Sequence, residues 1–535
     1  MKIINLSSLD GSNGFRLDGM AADDLSGRSV SDAGDVNGDG FDDVIVGAFR
    51  ADPNGSYSGS SYVVFGKASG FSATMDLSSL DGSNGFRLNG VAENDDSGWS
   101  VSTAGDVNGD GFDDVIVGAP DASLNGGLLG SSYVVFGKAS GFSATMDLSS
   151  LDGSNGFLLD GVAEGDTSGW SVSNAGDVNG DGFDDVIIGA FLADSNGYWS
   201  GSSYVVFGKA SGFGATMELP SLDGSNGFRL DGVTNDFSGA SVSNAGDVNG
   251  DGFDDLIVGA PSAEPNGFRS GSSYVVFGKA SGFDATMDLS SLDGSNGFRL
   301  DGVAERYSSG RSVSNAGDVN GDGFNDVIVG AYGADPNGYN GYNSGSSYVV
   351  FGKASGFSAT MDLSSLDGSN GFRLDGVAEF DSSGFSVSNA GDVNGDGFDD
   401  LIVGAWAADP NGRDSSGSSY VVFGKASGFS ATMNLSSLDG SNGFRLDGVA
   451  VGDTSGYSVS SAGDVNGDGF DDLIVGAGGA NPNGNDSGSS YIIFGRSDFG
   501  SDVDFPGTAG NDELTGTQAA ESFEAGAGND KMIGR

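Results

Sequence analysis

The chain has 535 residues, 37% of them hydrophobic and 10% aromatic, enough apolar material to pack and too much for a disordered acidic tail. Its 98 glycines, with only 9 prolines and no G-X-Y period, exclude collagen and point to many short strands joined by tight turns. A formal charge of −53 excludes direct binding to nucleic acid or insertion among anionic lipids, and the lack of His and Cys excludes Ser-His-Asp catalysis, His-based zinc or haem sites and disulfides.

Met1 to Phe15 carries no apolar run of signal-peptide type, and no stretch of about 18 apolar residues occurs anywhere. The expectation is a chain without an N-terminal signal peptide that does not enter a membrane. From Asn5 to Gly19 runs a segment, Leu9-Asp10-Gly11-Ser12-Asn13-Gly14-Phe15-Arg16-Leu17, that returns later at the end of each repeat.

Next comes the feature that decides the architecture. Asp-Val-Asn-Gly-Asp-Gly starts at Asp35, Asp106, Asp177, Asp247, Asp318, Asp392 and Asp464, at intervals of 71, 71, 70, 71, 74 and 72 residues. Within each period a Ser-Val-Ser run leads into the acidic loop. An apolar run such as Val44-Ile45-Val46 follows, then Ser61-Tyr62-Val63-Val64-Phe65, then Asn84-Gly85-Phe86-Arg87-Leu88. Four short β-rich runs separated by Gly, Ser, Asn and Asp predict a four-stranded antiparallel meander, the blade of a propeller. The seventh repeat, from Ser455, ends at Tyr491-Ile492-Ile493-Phe494 and lacks its fourth strand. The N-terminal segment supplies it. Residues 1–500 are therefore predicted to form an all-β, seven-bladed propeller whose first strand completes the last blade.

The loop Asp35-Val36-Asn37-Gly38-Asp39-Gly40-Phe41-Asp42-Asp43 places side-chain oxygens at positions 1, 3 and 5, as EF-hands do. Glycine at position 6 permits a sharp turn, the carbonyl of position 7 can point inward, and position 9 closes the shell. The candidate ligands are Asp35, Asn37, Asp39, Phe41 (carbonyl) and Asp43 in the first repeat. The later sets are Asp106, Asn108, Asp110, Phe112 and Asp114; Asp177, Asn179, Asp181, Phe183 and Asp185; Asp247, Asn249, Asp251, Phe253 and Asp255. Then come Asp318, Asn320, Asp322, Phe324 and Asp326; Asp392, Asn394, Asp396, Phe398 and Asp400; Asp464, Asn466, Asp468, Phe470 and Asp472. Position 8 is assigned outside the shell, and it is the one that varies, as Asn325. Hard oxygen ligands in this number suit Ca²⁺, about seven ions in all. Without a cation, each carboxylate pair costs on the order of 4 kcal/mol at about 4 Å and an effective dielectric near 20.

These residues resemble the FG-GAP repeat of integrin α-subunit propellers and their bacterial relatives. Gly118-Ala119-Pro120 and Gly259-Ala260-Pro261 match its closing Gly-Ala-Pro, where other repeats have Phe49, Phe191, Tyr332, Trp406 or Gly478 in third place. The opening Phe-Gly is mostly Ser-Gly here, as at Ser26-Gly27, Ser97-Gly98 and Ser168-Gly169. The resemblance spans roughly residues 1–496.

Residues 501–535 form a second region. Within it, 507–533 divide into three nonapeptides, with Asn511-Asp512 and Gly528-Asn529-Asp530 two periods apart and Ala519-Ala520-Glu521 in the middle copy. This resembles the RTX nonapeptide that winds into a calcium-binding β-roll, and it predicts a partial β-roll or a disordered tail. The resemblance implies type I export and folding in external calcium, hence a secreted or cell-surface protein.

In a meander, the acidic loops and the Lys67-to-Asn84 connection share one face, while the connections that differ between repeats share the other. Tyr57, Tyr198, Trp199, Tyr339, Tyr342 and Trp406 on that second face are the candidate ligand contacts. The expected function is a calcium-binding adhesion or matrix-attachment module, a monomeric propeller with a glycan or protein ligand. A polysaccharide-active enzyme and a structural spacer are the other readings. An enzyme is disfavoured because most acids recur in every blade, and unique ones such as Glu264 and Glu305 are few.

Overall fold

The computed structural model describes residues 1–124, 127–336 and 343–499, together with short strands between 505 and 533. Seven radial sheets form a closed ring. In blade 1 the inner strand is Ser29–Gly34, followed outward by Asp43–Ala48, Ser60–Val64 and Gly85–Asn89, each antiparallel to its neighbour. Blade 7 has Ser458–Gly463, Asp472–Ala477 and Ser489–Ile493 from the end of the ring. Its outer strand is Gly14–Asp18, with Gly14 opposite Ile493 and Asp18 opposite Ser489. The predicted swap is present.

The blades are wider than the sequence reading expected. Each has a fifth strand of three residues, such as Thr74–Asp76, running parallel to the outer strand of the preceding blade. The connection from Ser60–Val64 to Gly85–Asn89 thus crosses to blade 7 before returning, through a short turn at Leu77–Ser79. Ile3–Asn5 does the same for blade 6, parallel to Gly443–Asp447. Every blade is therefore edged by residues from another repeat, which covers an outer edge that would otherwise expose unpaired backbone groups.

The continuous apolar run of the second strand has a plain cause. Asp43–Ala48 and Ser60–Val64 are buried along their whole length, because each middle strand has a blade on both sides. Alternation then divides the core. Val44, Val46, Tyr62 and Val64 pack against Ile474 and Ile492 of blade 7, while Ile45 and Val63 pack against Val115 and Val117 of blade 2. Each of the seven interfaces holds one such cluster.

The inner strands contact one another around the central channel, the first meeting the last. The serine that opens each accepts a hydrogen bond from the next blade: Val101 N–H donates to Ser29 Oγ at 3.1 Å, and Val30 N–H donates to Ser458 Oγ at 3.1 Å to close the circle. Between Asp32 and Gly34 the register slips by one residue, and the same bulge precedes every acidic loop.

Of the second region, Phe505–Pro506 runs parallel to Phe523–Glu524, and Glu513–Thr515 runs parallel to Lys531–Ile533. Asp512 and Gly528-Asn529-Asp530 lie outside the described residues.

Candidate functional site

Each acidic loop begins at the bulge and ends where the second strand starts. Gly38 and Gly40 take φ of +72° and +88°, a left-handed backbone that lets the chain fold around the first aspartate. The Asp35 carboxylate accepts from the N–H groups of Gly38, Asp39 and Gly40 at 2.7, 3.0 and 2.9 Å. Asp39 accepts from Phe41 N–H at 3.1 Å. Asp43 is fully buried and accepts from Val36 N–H at 3.1 Å and from Gly66 N–H, past the third strand, at 2.9 Å. The bond to the third strand recurs in all seven blades.

The position-9 aspartates are the electrostatic centre of these loops. Burial pushes Asp43, Asp185, Asp255, Asp326, Asp400 and Asp472 up to about 8 and Asp114 to about 9. Repulsion from the position-5 and position-1 carboxylates adds to this, against the opposing pull of the backbone N–H bonds. Three carboxylates therefore feel one another in every loop. By chemistry the donor set, all oxygen and rich in carboxylate, fits a hard divalent cation. The side chains are only partly gathered: among the described residues no three acidic groups converge closely enough to enclose an ion as they stand. The Asp35 oxygens are taken by loop amides, and Asn37 turns its Nδ2 toward Asp43, at 3.4 and 3.5 Å from its two oxygens.

The sequence reading left positions 7 and 8 without side-chain roles, and both act between blades. Asp35 N–H donates to Asp113 Oδ2 of blade 2, and so on around the ring to Asp464 N–H and Asp42 Oδ2, at 2.7–3.1 Å. Asn325 fits because only an acceptor is required: its Oδ1 takes the Asp247 N–H at 3.1 Å. Gly34 has φ +66°, and a Cβ there would lie 2.3 Å from Asp113 Oδ2. The Phe112 ring covers Gly38 in the same way, so the position-7 phenyl rings seal the loop rim blade to blade.

At the opposite rim, Tyr57, Tyr198 and Trp199 are 44%, 56% and 39% exposed at loop tips. Tyr198 and Trp199 lie 4.0 Å apart, ring to ring, and Trp199 stacks on Phe237 at 5.3 Å. The connections that differ between repeats do share this rim, for Asn94 N–H donates to Ser56 C=O and Asn235 N–H to Tyr198 C=O. Tyr339 and Tyr342 lie outside the described residues. Trp406 is not a loop-tip contact. It follows the second strand Asp400–Ala405 directly, so it is held half-buried between Phe385 and Tyr457, with its indole N–H buried and unbonded. Phe49 and Phe191 occupy the same position and pack likewise on Trp99 and Trp170. The residue just before each inner strand, at the channel mouth, was missed. Its signal is a single position that changes from blade to blade within Ser-Gly-X-Ser.

Seven segments, at 27–64, 97–135, 168–206, 238–276, 309–350, 383–422 and 455–493, match the FG-GAP repeat and together cover more than half of the chain. The chain belongs to the FG-GAP repeat family. Each match opens within the Ser-Gly pair before an inner strand and runs to the end of the third strand, so the repeat encloses the acidic loop. Similar proteins include integrin alpha-V of Gallus gallus, 31% identical over 250 residues, 45% of this chain and 21% of the relative. Integrin alpha pat-2 of Caenorhabditis elegans is 32% identical over 256 residues, 45% of this chain and 18% of the relative. Phosphatidylinositol-glycan-specific phospholipase D of Dictyostelium discoideum is 28% identical over 316 residues, 55% of this chain and 31% of the relative. The chain thus spans less than a third of each of these relatives. Among the described residues no helix is long and apolar enough to cross a membrane.

Proposed function

We propose that this FG-GAP propeller is a secreted or cell-surface binding module, pinned by about seven calcium ions in its acidic loops and presenting its opposite rim to a ligand. The observation that carries the calcium reading is the buried position-9 aspartate, repeated seven times. Each meets two more carboxylates and no cationic side chain within its own loop. A dication would relieve that repulsion, with the position-1, -3, -5 and -9 side chains as its donors and the position-7 carbonyl as a further one. Its chemistry here is structural: charge neutralisation and loop closure. Integrin relatives favour a protein or matrix ligand, and the phospholipase D relative keeps a propeller within an enzyme as the second reading.

The tail supports export. Its paired strands, Glu513–Thr515 and Lys531–Ile533, are 18 residues apart in sequence, two nonapeptides, as one turn of an RTX β-roll would place them. Type I secretion is the route this favours.

The test is calcium stoichiometry by native mass spectrometry, paired with retention of the protein on glycan and cell arrays with and without chelator. About seven ions and chelator-sensitive retention are expected. A metal-free protein that is retained equally well refutes the calcium part of the reading, loss of retention under both conditions refutes the binding module, and release of reducing ends from a polysaccharide panel favours the enzyme.

A further inference from the structure

The central channel opens at the ligand-facing rim into a cavity of about 180 Å³. Its wall is made by the residue before each inner strand and by the serine that begins the strand. Six of the seven preceding residues are large: Arg28, Trp99, Trp170, Arg311, Phe385 and Tyr457. Among the described residues no Asp or Glu lines the cavity, in a chain with 75 acidic and 22 basic residues.

The two arginines are held by aromatic rings rather than by carboxylates. The Arg28 guanidinium lies 3.8 Å from the centre of the Tyr457 ring and 5.1 Å from that of Trp99. Arg311 lies 4.9 Å from the centre of Phe385. Among the described residues neither guanidinium forms an ion pair or a hydrogen bond. Burial lowers the Arg28 pKa from its ordinary value, and Arg311 and Arg50 lower it further, so a nearby anion would be stabilising. Below the arginines, the seven serines use a lone pair on the neighbouring Val N–H, which leaves each O–H as a donor. The cavity thus offers two guanidinium forks and a circle of hydroxyl donors, the inventory of an anion site.

We infer that the channel mouth is a subsite for the carboxylate of an acidic saccharide, with the sugar ring on the Trp99–Trp170 side. The inference rests on the reading of this rim as the ligand face and gives that ligand a chemical class. Size supports a single group. Pockets that enclose a whole small ligand hold about 300–1,000 Å³, so this one takes one group projecting from a larger molecule. A densely charged polyanion, whether nucleic acid or a run of acidic residues, would meet the repulsion of a body carrying −53. A glycan with isolated uronates meets less. Trp99 and Trp170 lie 4.6 Å apart, ring to ring, inclined at 42°, and supply amphipathic aromatic faces of the kind on which a sugar ring packs.

The experiment follows tryptophan fluorescence in calcium at about 0.15 M salt, where charged surfaces beyond about 8 Å are screened. The probes are a hyaluronan tetrasaccharide, its glucuronate methyl ester, neutral chitotetraose and tetraglutamate. The tetrasaccharide is expected to change the fluorescence, with the other three binding at least tenfold more weakly. The double variant R28Q/R311Q should lose tenfold or more in affinity at an unchanged melting temperature, and R28K/R311K should fall between. Ester binding as tight as the acid overturns the subsite on the native protein alone, even where the variants fail to fold. Equal binding by a folded R28Q/R311Q overturns it too, and tighter binding of tetraglutamate overturns the saccharide class. Chelator-sensitive array retention without tetrasaccharide binding sinks this inference and leaves the binding-module reading standing. Chelator-insensitive retention together with tetrasaccharide binding removes calcium from the proposed function and leaves this subsite standing.

Discussion

The two rims of the ring are built from one repeat and have opposite characters. At the acidic rim, position 1 and position 9 of each loop are aspartate in all seven blades, and blade-to-blade bonds from position 8 tie neighbouring loops together. At the other rim, the equivalent position in seven blades holds two arginines, four aromatics and Ala240. The difference shows where each rim's constraint originates. A loop that must satisfy its own amides, a third strand and a neighbouring blade leaves only position 8 free to vary, and there only to another acceptor, Asn325. A side chain at the channel mouth answers to fewer bonds, and the seven mouths can be assembled into one asymmetric site.

Removing metal should break the comparison most severely. A ligand at a hundredfold excess over its Kd adds about 2.7 kcal/mol per site, so seven sites would add about 19 kcal/mol. With an unfolding entropy of about 1 kcal/mol/K for a chain of this size, chelation should lower the melting temperature by roughly 20 °C by calorimetry. An unchanged Tm would mean that the acidic rim stands without ions. The next effect is local. Asp255→Ala leaves the Gly278 N–H buried without an acceptor and the Val248 N–H with only the Gly246 carbonyl, at about 1–3 kcal/mol for the orphaned group. Denaturant unfolding should show that loss, and native mass spectrometry should show one calcium fewer.

Smaller still is the effect at position 8. Asp254→Ala orphans the Asp177 N–H and should cost about 1 kcal/mol, whereas Asp254→Asn should stay within about 0.5 kcal/mol because the amide still accepts. A large loss from the asparagine variant would show that the charge itself matters there. At the other rim, joint replacement of Tyr198 and Trp199 by Ala should change stability by no more than about 0.5 kcal/mol, as exposed positions do. The same variant should lower array retention, and unaltered retention would remove those two residues from the ligand surface.

Much of this fold was legible because its period is. Counting the acidic motifs gives the number of blades, and the lone Gly-Phe-Arg-Leu segment before the first motif gives the closure. The fifth strand was not legible: Thr74-Met75-Asp76 is too short to show alternation, and its partner lies one blade back. For the candidate site, the structure separates position 9 from position 8, since Asp43 is enclosed and the Asp42 carboxylate accepts from Asp464 N–H of the preceding blade. What the neighbouring blade does with Asp42, and how Trp406 is held against Phe385 and the next blade's Tyr457, depends on contacts between repeats. A pattern read within one repeat does not contain them.

The seam between Gly14–Asp18 and Ser489–Ile493 carries a consequence for assembly in time. Gly14–Asp18 is synthesised well before its partner Ser489–Ile493, so the ring cannot lock until the seventh repeat is available. Closing a loop of this length costs about 5–6 kcal/mol of chain entropy if the intervening chain is loose, and far less if blades 1 to 6 have already stacked. The circle is thus best completed as a final click on a preformed arc. Pulling on residues 3–18 would open it at the outer edges of blades 6 and 7.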